Sequence, residues 1–427
     1  MIVIFTPQIT ERLRYVCDFI FNNHFHTTYR ITNNIEDGSA VNALFINYSL
    51  EKLPFSCITI VPHPLLFQSN IQHQEIDGFQ HNGLPAFFRI QDSDYAFDIF
   101  AAIFFLITRY EEYLPHQKDE FGRYNHKEST AYKNNFLELP VVNLWLADFE
   151  KVLLNRFPGI MIDKPNFENI ITYDIDMAWS YRNKGLLRNF GGFLKRPSLE
   201  RVKVLLGWEK DPFDIYDELK ELHNEKGMNV IYFFLVAEGR STFDKNISPS
   251  NIMMKELIYK QAQNYEIGLH SSWASNDNIL LLQKEKNTIE RITNKPVYKS
   301  RQHYLKFSLP ENYKQLIQMG INEEYSMGYG TINGFRASYA GSYFWFDLSN
   351  NMKTSLKLFP FCYMDSTSLF VMNKTPVQAW KELMYYHDVC KKNNGLMITI
   401  FHNHIISDDK KQAGWTELHK KFVKEHF

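Results

Sequence analysis

The alternation of apolar and polar residues divides the chain into two parts. Over residues 1 to about 165, short apolar runs alternate with segments in which apolar residues recur about every three to four positions, the patterns of strands and amphipathic helices. The predicted strands of this part are Met1–Phe5, Ala43–Tyr48 and Cys57–Val61, and the predicted helices are Glu11–Phe25, Phe97–Tyr113 and Leu139–Phe157. We therefore expect an N-terminal α/β domain over residues 1–165, in which we find no motif with a chemical role.

From about residue 166 onward, strand and helix patterns alternate regularly. The predicted strands are 170–175, Asn229–Val236, Glu266–Leu269, Val297–Ser300 and Leu396–Phe401. The predicted helices are Phe213–Lys226, which Gly227 caps, Met253–Asn264, Asn278–Thr293 and Pro376–Asn393. This alternation indicates βα units around a parallel sheet or barrel over residues 166–427.

Composition agrees with a folded protein of more than one domain. The chain has 427 residues, which is too long for one ordinary core. Hydrophobic residues make up 44% of it, which is ample for folded cores. Its formal net charge is −1 with acids and bases interspersed, so the overall charge predicts neither a nucleic-acid partner nor an anionic membrane partner. Cys17, Cys57, Cys362 and Cys390 are far apart, which predicts free thiols and no cysteine metal site.

The N-terminal residues lack the basic and apolar regions of a secretory signal. The longest apolar stretch, Ile99 to Ile107, is much shorter than the ~20 residues that span a bilayer. From these two features we expect a cytoplasmic protein without a membrane span. The sequence does not predict the oligomeric state.

Chemistry is indicated first by the run from Ile171 to Asp176, which ends in carboxylates on alternate residues. In a strand, a spacing of two places Asp174 and Asp176 on the same side, where both can face one metal ion or one water molecule. Two acids held together at a strand end repel each other unless a cation or a shared proton is present. The alternative for a lone Asp-x-Asp is a polar turn that caps the next helix.

Three further predicted strands also end in residues with chemical roles. They are followed by His270, by Arg301 and His303, and by His402. In parallel α/β folds the carboxyl ends of the strands form the active face, so we expect these side chains to lie together. Asp and neutral His together form a borderline zinc site, for which three protein ligands and a water are the usual catalytic arrangement. The alternative is that each His satisfies a local hydrogen bond.

The order and spacing of these segments resemble the NodB-homology polysaccharide deacetylases. Residues 172–176 resemble the first motif of that family in its Asp-x-Asp form, and Gly227 to Phe234 resemble its second strand. His270-Ser271-Ser272-Trp273-Ala274 resembles the His-Ser-x-x-His motif. Ile292 to Pro296, running into Ser300 to Tyr304, resembles the approach to the Arg-x-Pro-Tyr motif, and Thr399 to His402 resembles the last motif. The resemblance implies a distorted (β/α) barrel that binds a divalent metal and removes acetyl groups from sugars.

The chain departs from this family at the metal site. Ala274 stands where the second motif has its second His, and His303 stands where the third motif usually has Pro. We expect His303 to supply the missing imidazole, so that Asp176, His270 and His303 bind one zinc or another divalent metal per chain. A fold relative that has lost its metal is the alternative.

The resemblance also implies catalytic and substrate-binding roles. Asp174 would act as general base, Arg301 would orient it, and His402 would protonate the departing amine. Gly334 to Ala337 resembles a segment in long members of the family that carry an N-terminal domain of this type. Tyr304, Arg336 and Trp273 are candidate substrate-binding residues, while a core position is the alternative for the aromatic residues and a structural ion pair is the alternative for Arg336. For Asp365, as for Arg336, substrate binding and a structural ion pair are the two interpretations.

The sequence therefore predicts a metal-dependent hydrolase that removes acetyl groups from N-acetylated sugars or polysaccharide precursors. One alternative is a hydrolase of the same mechanism that acts on a small non-sugar amide. The other is a catalytically inactive carbohydrate-binding or assembly protein on the same fold.

Overall fold

Two larger β-sheets and one two-stranded sheet organise the described part of the chain. The computed structural model describes residues 1–38, 44–224, 228–239 and 241–427, so the predicted positions Ala43 and Gly227 lie outside the described residues. The first sheet has the order β2-β1-β3-β4 and is parallel throughout. Its strands are β1 (Ile2–Phe5), β2 (Tyr29–Thr32), β3 (Leu44–Asn47) and β4 (Ile58–Thr59), and a hairpin of β5 (Phe79–His81) and β6 (Leu84–Ala86) lies outside it.

The second sheet has nine strands in the order β12-β13-β11-β10-β9-β8-β7-β15-β14. Only β12 runs antiparallel to its neighbour. The strands are β7 (Glu168–Ile175), β8 (Val230–Leu235), β9 (Glu266–Ser271), β10 (Lys299–Gln302), β11 (Glu323–Glu324), β12 (Tyr343–Asp347), β13 (Met352–Leu358), β14 (Tyr363–Met364) and β15 (Leu396–His402). The fold is thus mixed α/β with a large parallel sheet. The expected barrel closure is not seen in the described part of the chain, because the edge strands β12 and β14 do not pair with each other.

Helices connect these strands and cover the sheets. They are α1 (Glu11–Cys17), α2 (Ile99–Ile107), α3 (Thr130–Lys133), α4 (Val141–Arg156), α5 (Leu186–Lys195), α6 (Leu199–Leu205), α7 (Tyr216–Asn224), α8 (Ile252–Ala262), α9 (Ile279–Thr293), α10 (Glu311–Gln318), α11 (Pro376–Lys392) and α12 (Ala413–His426). Within the described ranges, none of them combines the length and the apolar character needed to cross a membrane. All four cysteines are free thiols, as predicted.

The predicted helix Phe97–Tyr113 is shorter in the structure because the helical conformation is interrupted at Arg109. Asp98 caps the start of α2 by accepting the amide of Ala101 at 3.0 Å. The helix ends at Ile107, and Arg109 takes a left-handed conformation with φ of 54° before a short 3₁₀ turn. A residue other than glycine rarely adopts this backbone conformation without support. The side chain of Arg109 provides that support through ion pairs with Glu111 and Glu112.

A continuous cluster of buried apolar side chains joins the first sheet to the second. It includes Ile4 of β1, Trp145 of α4 and Phe346 of β12. Polar contacts cross the same junction, since the Tyr15 hydroxyl donates to the carbonyl of Phe344 at 2.7 Å. The boundary near residue 165 stays a prediction, because the two parts share this cluster.

Candidate metal centre and active site

The register of the parallel strands places the candidate residues side by side. Asp174 on β7 pairs with His402 on β15, and His270 on β9 pairs with Arg301 on β10. All four stand at or next to the carboxyl ends of their strands. Because neighbouring parallel strands end at one edge of a sheet, residues far apart in sequence meet there.

Asp176 lies at the centre of this group. Its Oδ1 is 3.2 Å from Nε2 of His270 and 3.7 Å from Nε2 of His303. Its Oδ2 is 3.9 Å from Nε2 of His402. One ligand atom from each of Asp176, His270 and His303 lies within 4.8 Å of the others, which is the spacing of a potential metal-binding triad.

The imidazole orientations fit a cation in this position. Nδ1–H of His270 donates to the carbonyl of Arg301 at 2.9 Å, and Nδ1–H of His303 donates to Oδ1 of Asp244 at 2.9 Å. These bonds leave the Nε2 lone pairs facing Asp176, and partners of this kind commonly orient metal-ligating histidines. Asp176 Oδ1 is buried and has no hydrogen-bond partner among the described residues. One carboxylate oxygen and two imidazole nitrogens therefore fit zinc or a similar divalent ion.

The charges of the residues in the triad depend on one another. Burial raises the pKa of Asp176, but the imidazoles of His303 and His270 outweigh this effect and hold the pKa well below its usual value. Burial lowers the pKa of His303, whereas Asp176 and Asp244 raise it to about 9. A cation or an added proton thus balances the buried carboxylate.

Asp174 is held beside the triad by Arg301. Nη1 of Arg301 donates to Asp174 Oδ1 at 2.7 Å and to the hydroxyl of Thr172 at 2.7 Å. The guanidinium reaches β7 by lying over the ring of Phe233, 4.4 Å from its centroid. Oδ2 of Asp174 lies 3.7 Å from Nε2 of His270. The ion pair therefore fixes one carboxylate oxygen while the other faces the centre of the site.

His402 is held by Asp365, which stands just after β14. Nδ1–H of His402 donates to Asp365 Oδ1 at 2.6 Å, and the backbone amide of His402 donates to Oδ2 at 2.8 Å. Burial lowers the pKa of His402, but the carboxylate of Asp365, with a smaller contribution from Asp176, raises it to about 9. The two carboxylates thus favour the protonated form of His402, whose Nε2 lies 3.9 Å from Oδ2 of Asp176.

These groups line a cavity of about 330 Å³. Its polar lining includes Asp174, Asp176, His270, His303, His402 and His404. Burial lowers the pKa of His404 to about 4, with the charge of His402 adding to the effect, so this imidazole is neutral at pH 7. The apolar part of the wall consists of Phe121, Tyr304, Leu305, Met364, Phe370 and Val371. The cavity is therefore lined by both reactive groups and aromatic rings.

One wall of the cavity comes from the N-terminal part of the chain. Glu120, Phe121 and Arg123 line it, on a loop that Lys118 and Tyr124 close by strand-like pairing. The Phe121 ring lies 5.5 Å from that of Tyr304, and Nη1 of Arg123 donates to the carbonyl of Tyr304 at 2.6 Å. Tyr304 has a left-handed φ of 59°, a conformation that needs such support.

The three candidate substrate-binding residues lie in different surroundings. Tyr304 lines the cavity, whereas Trp273 stands beside it, stacked on Phe243 at 3.9 Å. Arg336 is elsewhere and is 1% exposed. Its Nε and Nη2 donate to the two carboxylate oxygens of Glu112 at 2.9 and 2.6 Å, and Nη1 donates to the carbonyl of Gly328. Arg336 thus makes the buried ion pair that was its alternative interpretation and does not line the cavity, and its substrate-binding role stays a prediction.

Several residues at the site were missed or left undecided by the sequence analysis. Asp365 follows a two-residue strand, and its position at a strand end was the available signal. Asp244 and the loop 119–123 follow no strand of the second sheet directly, so the pattern of strand ends does not indicate them. His404 stands two residues after His402, and this His-x-His sequence at a strand end was the signal that could have indicated it.

The comparisons with known proteins give a family-model match and matches to solved structures. A family model described as a family of unknown function, DUF7033, matches residues 2–158. No curated protein matches the chain.

Solved structures resemble about three fifths of the chain. A protein from Mycobacterium smegmatis assigned as a polysaccharide deacetylase aligns with a TM-score of 0.40 and 13% identity, over 62% of this chain and 86% of that chain. A CE4 family pseudoenzyme from Bacillus anthracis aligns with a TM-score of 0.30 and 12% identity, over 60% and 61%. The PuuE allantoinase aligns with a TM-score of 0.38 and 9% identity, over 62% and 89%. At these scores the similarity carries no argument about activity.

Proposed function

We propose that this chain is a metal-dependent hydrolase that removes the acetyl group from the amide nitrogen of an N-acetylated sugar or polysaccharide precursor. The observation that carries the proposal is the convergence of three imidazole Nε2 atoms on Asp176, with Asp174 beside them. This set contains a metal-binding triad, a carboxylate that accepts a proton and an imidazolium that donates one. Metal-dependent amide hydrolysis uses all three functions.

Asp176, His270 and His303 would hold the divalent ion. When bound, it supplies Lewis acidity, which acidifies water and polarises the acetyl carbonyl. Asp244 and the carbonyl of Arg301 keep the two imidazoles in the tautomer that presents Nε2.

Asp174 would accept the proton of the attacking water. Its Oδ1 is held by Arg301, so Oδ2 is the free proton acceptor. A carboxylate fixed in this way loses little entropy when it takes up the proton. The water oxygen then forms a bond to the acetyl carbon.

His402 would complete the reaction from the other side of the site. As the bond between carbon and nitrogen breaks, its Nε2–H donates a proton to the departing amine, which leaves as the free amino sugar. The Asp365 carboxylate stabilises the imidazolium before this transfer, so the proton is available at neutral pH. Asp174 and His402 thus move protons in opposite directions.

The shape and lining of the cavity support a sugar as the substrate. A volume of about 330 Å³ suits one or two sugar rings rather than a folded polymer. Tyr304 and Phe121 add aromatic surface to its lining, on which the apolar face of a sugar ring would pack.

The decisive experiment measures acetate released from N-acetylglucosamine and its oligomers, together with zinc content. The parent protein should release acetate, and Asp174→Asn should keep its zinc but lose roughly 10²–10⁴-fold in kcat. His73→Ala is the control, since His73 is exposed and does not line the cavity. Normal turnover by Asp174→Asn would contradict the role assigned to this carboxylate.

Two alternative functions predict different results. Ala274 at the usual ligand position favours an inactive carbohydrate-binding or assembly protein, for which neither zinc tighter than millimolar nor acetate release should be found. An amidohydrolase of a small non-sugar amide should bind zinc and hydrolyse simple acetamides, but leave the sugar substrates intact.

A further inference from the structure

A helical hairpin between β7 and α7 exposes an unusual number of large apolar side chains. The hairpin comprises residues 182–210 and contains α5 and α6. Its exposed apolar residues are Leu186, Leu187, Phe190, Phe193, Leu194, Leu199, Val202, Leu205, Leu206 and Trp208. Leu187 is 89% exposed and Trp208 is 73% exposed. Patches of this kind mark interaction sites in folded proteins.

The first helix of the hairpin, α5, exposes its apolar face instead of burying it. Leu186, Leu187, Phe190, Phe193 and Leu194 recur at the spacing of one helical face, and that face is turned outward. The one buried residue of α5 is polar. It is an asparagine at position 189, whose amide donates to the carbonyls of residues 181 and 185 at 2.9 and 3.2 Å. A helix that packs on its own protein normally buries the apolar face instead.

The hairpin is nevertheless tied firmly to the fold. Nη1 of Arg201 on α6 donates to the carbonyl of Asn189 on α5 at 3.2 Å, and its guanidinium lies over the ring of Tyr181. The carboxylate of Asp211 accepts the backbone amides of residues 180, 181 and 182 at 2.7 to 2.9 Å. Nη2 of Arg188 donates to the carbonyl of Lys245 at 2.7 Å. The exposed face is therefore presented by a braced element.

The charge of the hairpin differs sharply from that of the whole chain. Residues 182–210 contain eight Lys and Arg, but only Glu200 and Glu209 as acids, whereas the whole chain has a formal charge of −1. The basic residues are Arg182, Lys184, Arg188, Lys195, Arg196, Arg201, Lys203 and Lys210. Apolar side chains on one face of a basic amphipathic helix are typical of elements that lie in a membrane interface. The overall charge conceals this local excess.

We propose that the hairpin docks the protein on an anionic lipid bilayer. The apolar face enters the boundary between headgroups and acyl chains, and Trp208 lies at headgroup depth. Arg182, Lys195 and Arg196, which are exposed, contact lipid phosphates. The excess positive charge opposes pairing with the same face of a second copy, because like charges would meet there. The hairpin follows Asp176 closely in sequence and leaves the sheet at the edge that carries the candidate site.

Vesicle sedimentation with the full chain tests this proposal. The protein should bind vesicles that contain about one third phosphatidylglycerol in phosphatidylcholine, and should bind pure phosphatidylcholine and high-salt samples much less. Leu187→Ser combined with Phe190→Ser should lower the partition coefficient roughly 100-fold, because two large apolar side chains no longer enter the lipid. Both positions are exposed, and unchanged thermal unfolding would show that the variant is folded.

The matched control combines Leu280→Ser with Val377→Ser, which removes two similarly exposed apolar side chains outside the hairpin. This control should bind the anionic vesicles as the parent does. Absence of parent binding to anionic vesicles, or equal binding by the two double variants, would overturn the proposal. Sedimentation velocity is the second measurement: a dimer that disappears only in the hairpin variant, without vesicle binding, would assign the face to a second copy instead.

Discussion

Replacement of Asp365 by asparagine is a direct perturbation of the candidate proton donor. Asp365 is fully buried and holds His402 twice, through Nδ1–H at 2.6 Å and through the backbone amide at 2.8 Å. Burial alone lowers the pKa of His402, and the carboxylate of Asp365 is the largest of the effects that raise it to about 9. Asparagine keeps the shape but removes the charge, so the imidazolium loses its main stabilising partner.

The size and sign of the effect follow from this change. A close opposite charge changes a pKa by ~1–3, so the pKa of His402 should fall from about 9 to roughly 6–8. The donor form exists below the pKa and is lost as the pH rises through it. The alkaline limit of kcat/KM should therefore move to lower pH in Asp365→Asn. At a pH above both limits, the variant should be about tenfold slower than the parent for every pH unit that separates the two limits.

The assay is acetate release across the pH range, with parent and variant loaded with the same metal. A bound cation affects His402 in both proteins, so the comparison isolates the contribution of Asp365. Asp347→Asn is the control, because Asp347 is also buried but contacts Ser349 and Lys314 instead of the site. An alkaline limit at the same pH in the parent and in Asp365→Asn would refute the reasoning.

Three further predictions test the metal site, the buried ion pair and the cavity wall. His303→Ala removes one of three proposed ligands, so zinc binding measured by isothermal titration should become severely weaker, while His73→Ala should bind zinc as the parent does. Equal zinc binding by both variants would exclude His303 as a ligand. Arg336→Ala removes one ion-pair partner of the buried Glu112, so the free energy of unfolding measured by urea titration should fall by about 3–5 kcal/mol, with KM unchanged. A raised KM in a folded variant would instead support a substrate-binding role for Arg336. Phe121→Ala should raise KM roughly threefold to tenfold with kcat unchanged, and an unchanged KM would remove this ring from the binding surface.

The sequence was sufficient to predict that residues after several different strands lie together. Strands of β-branched and aromatic residues are recognisable locally, and parallel strands place their carboxyl ends at one edge. For this reason Asp176, His270 and His303, which span more than a hundred residues, were expected to meet, and the structure brings their ligand atoms within 4.8 Å. Their roles in metal binding and catalysis stay predictions.

Other features depend on contacts that no local pattern reveals. Sheet closure depends on whether the two edge strands reach each other, and in the described residues β12 and β14 do not. The sequence left Arg336 between substrate binding and a structural ion pair, because its ion-pair partner Glu112 is 224 positions away. Phe121 reaches Tyr304 across 183 positions, from a loop without a motif. Long-range pairing of this kind is decided by packing of the whole chain.

The departure at Ala274 becomes understandable through the carboxylate of Asp244. Oδ1 of Asp244 accepts the backbone amide of Trp273 and Nδ1–H of His303, both at 2.9 Å. One buried oxygen thus ties the segment that ends in Ala274 to the imidazole of His303. An imidazole that moves from the first position to the second stays within the same hydrogen-bonded neighbourhood, next to His270. The proposed shift of a ligand from position 274 to position 303 would therefore require no change in the order or register of the strands.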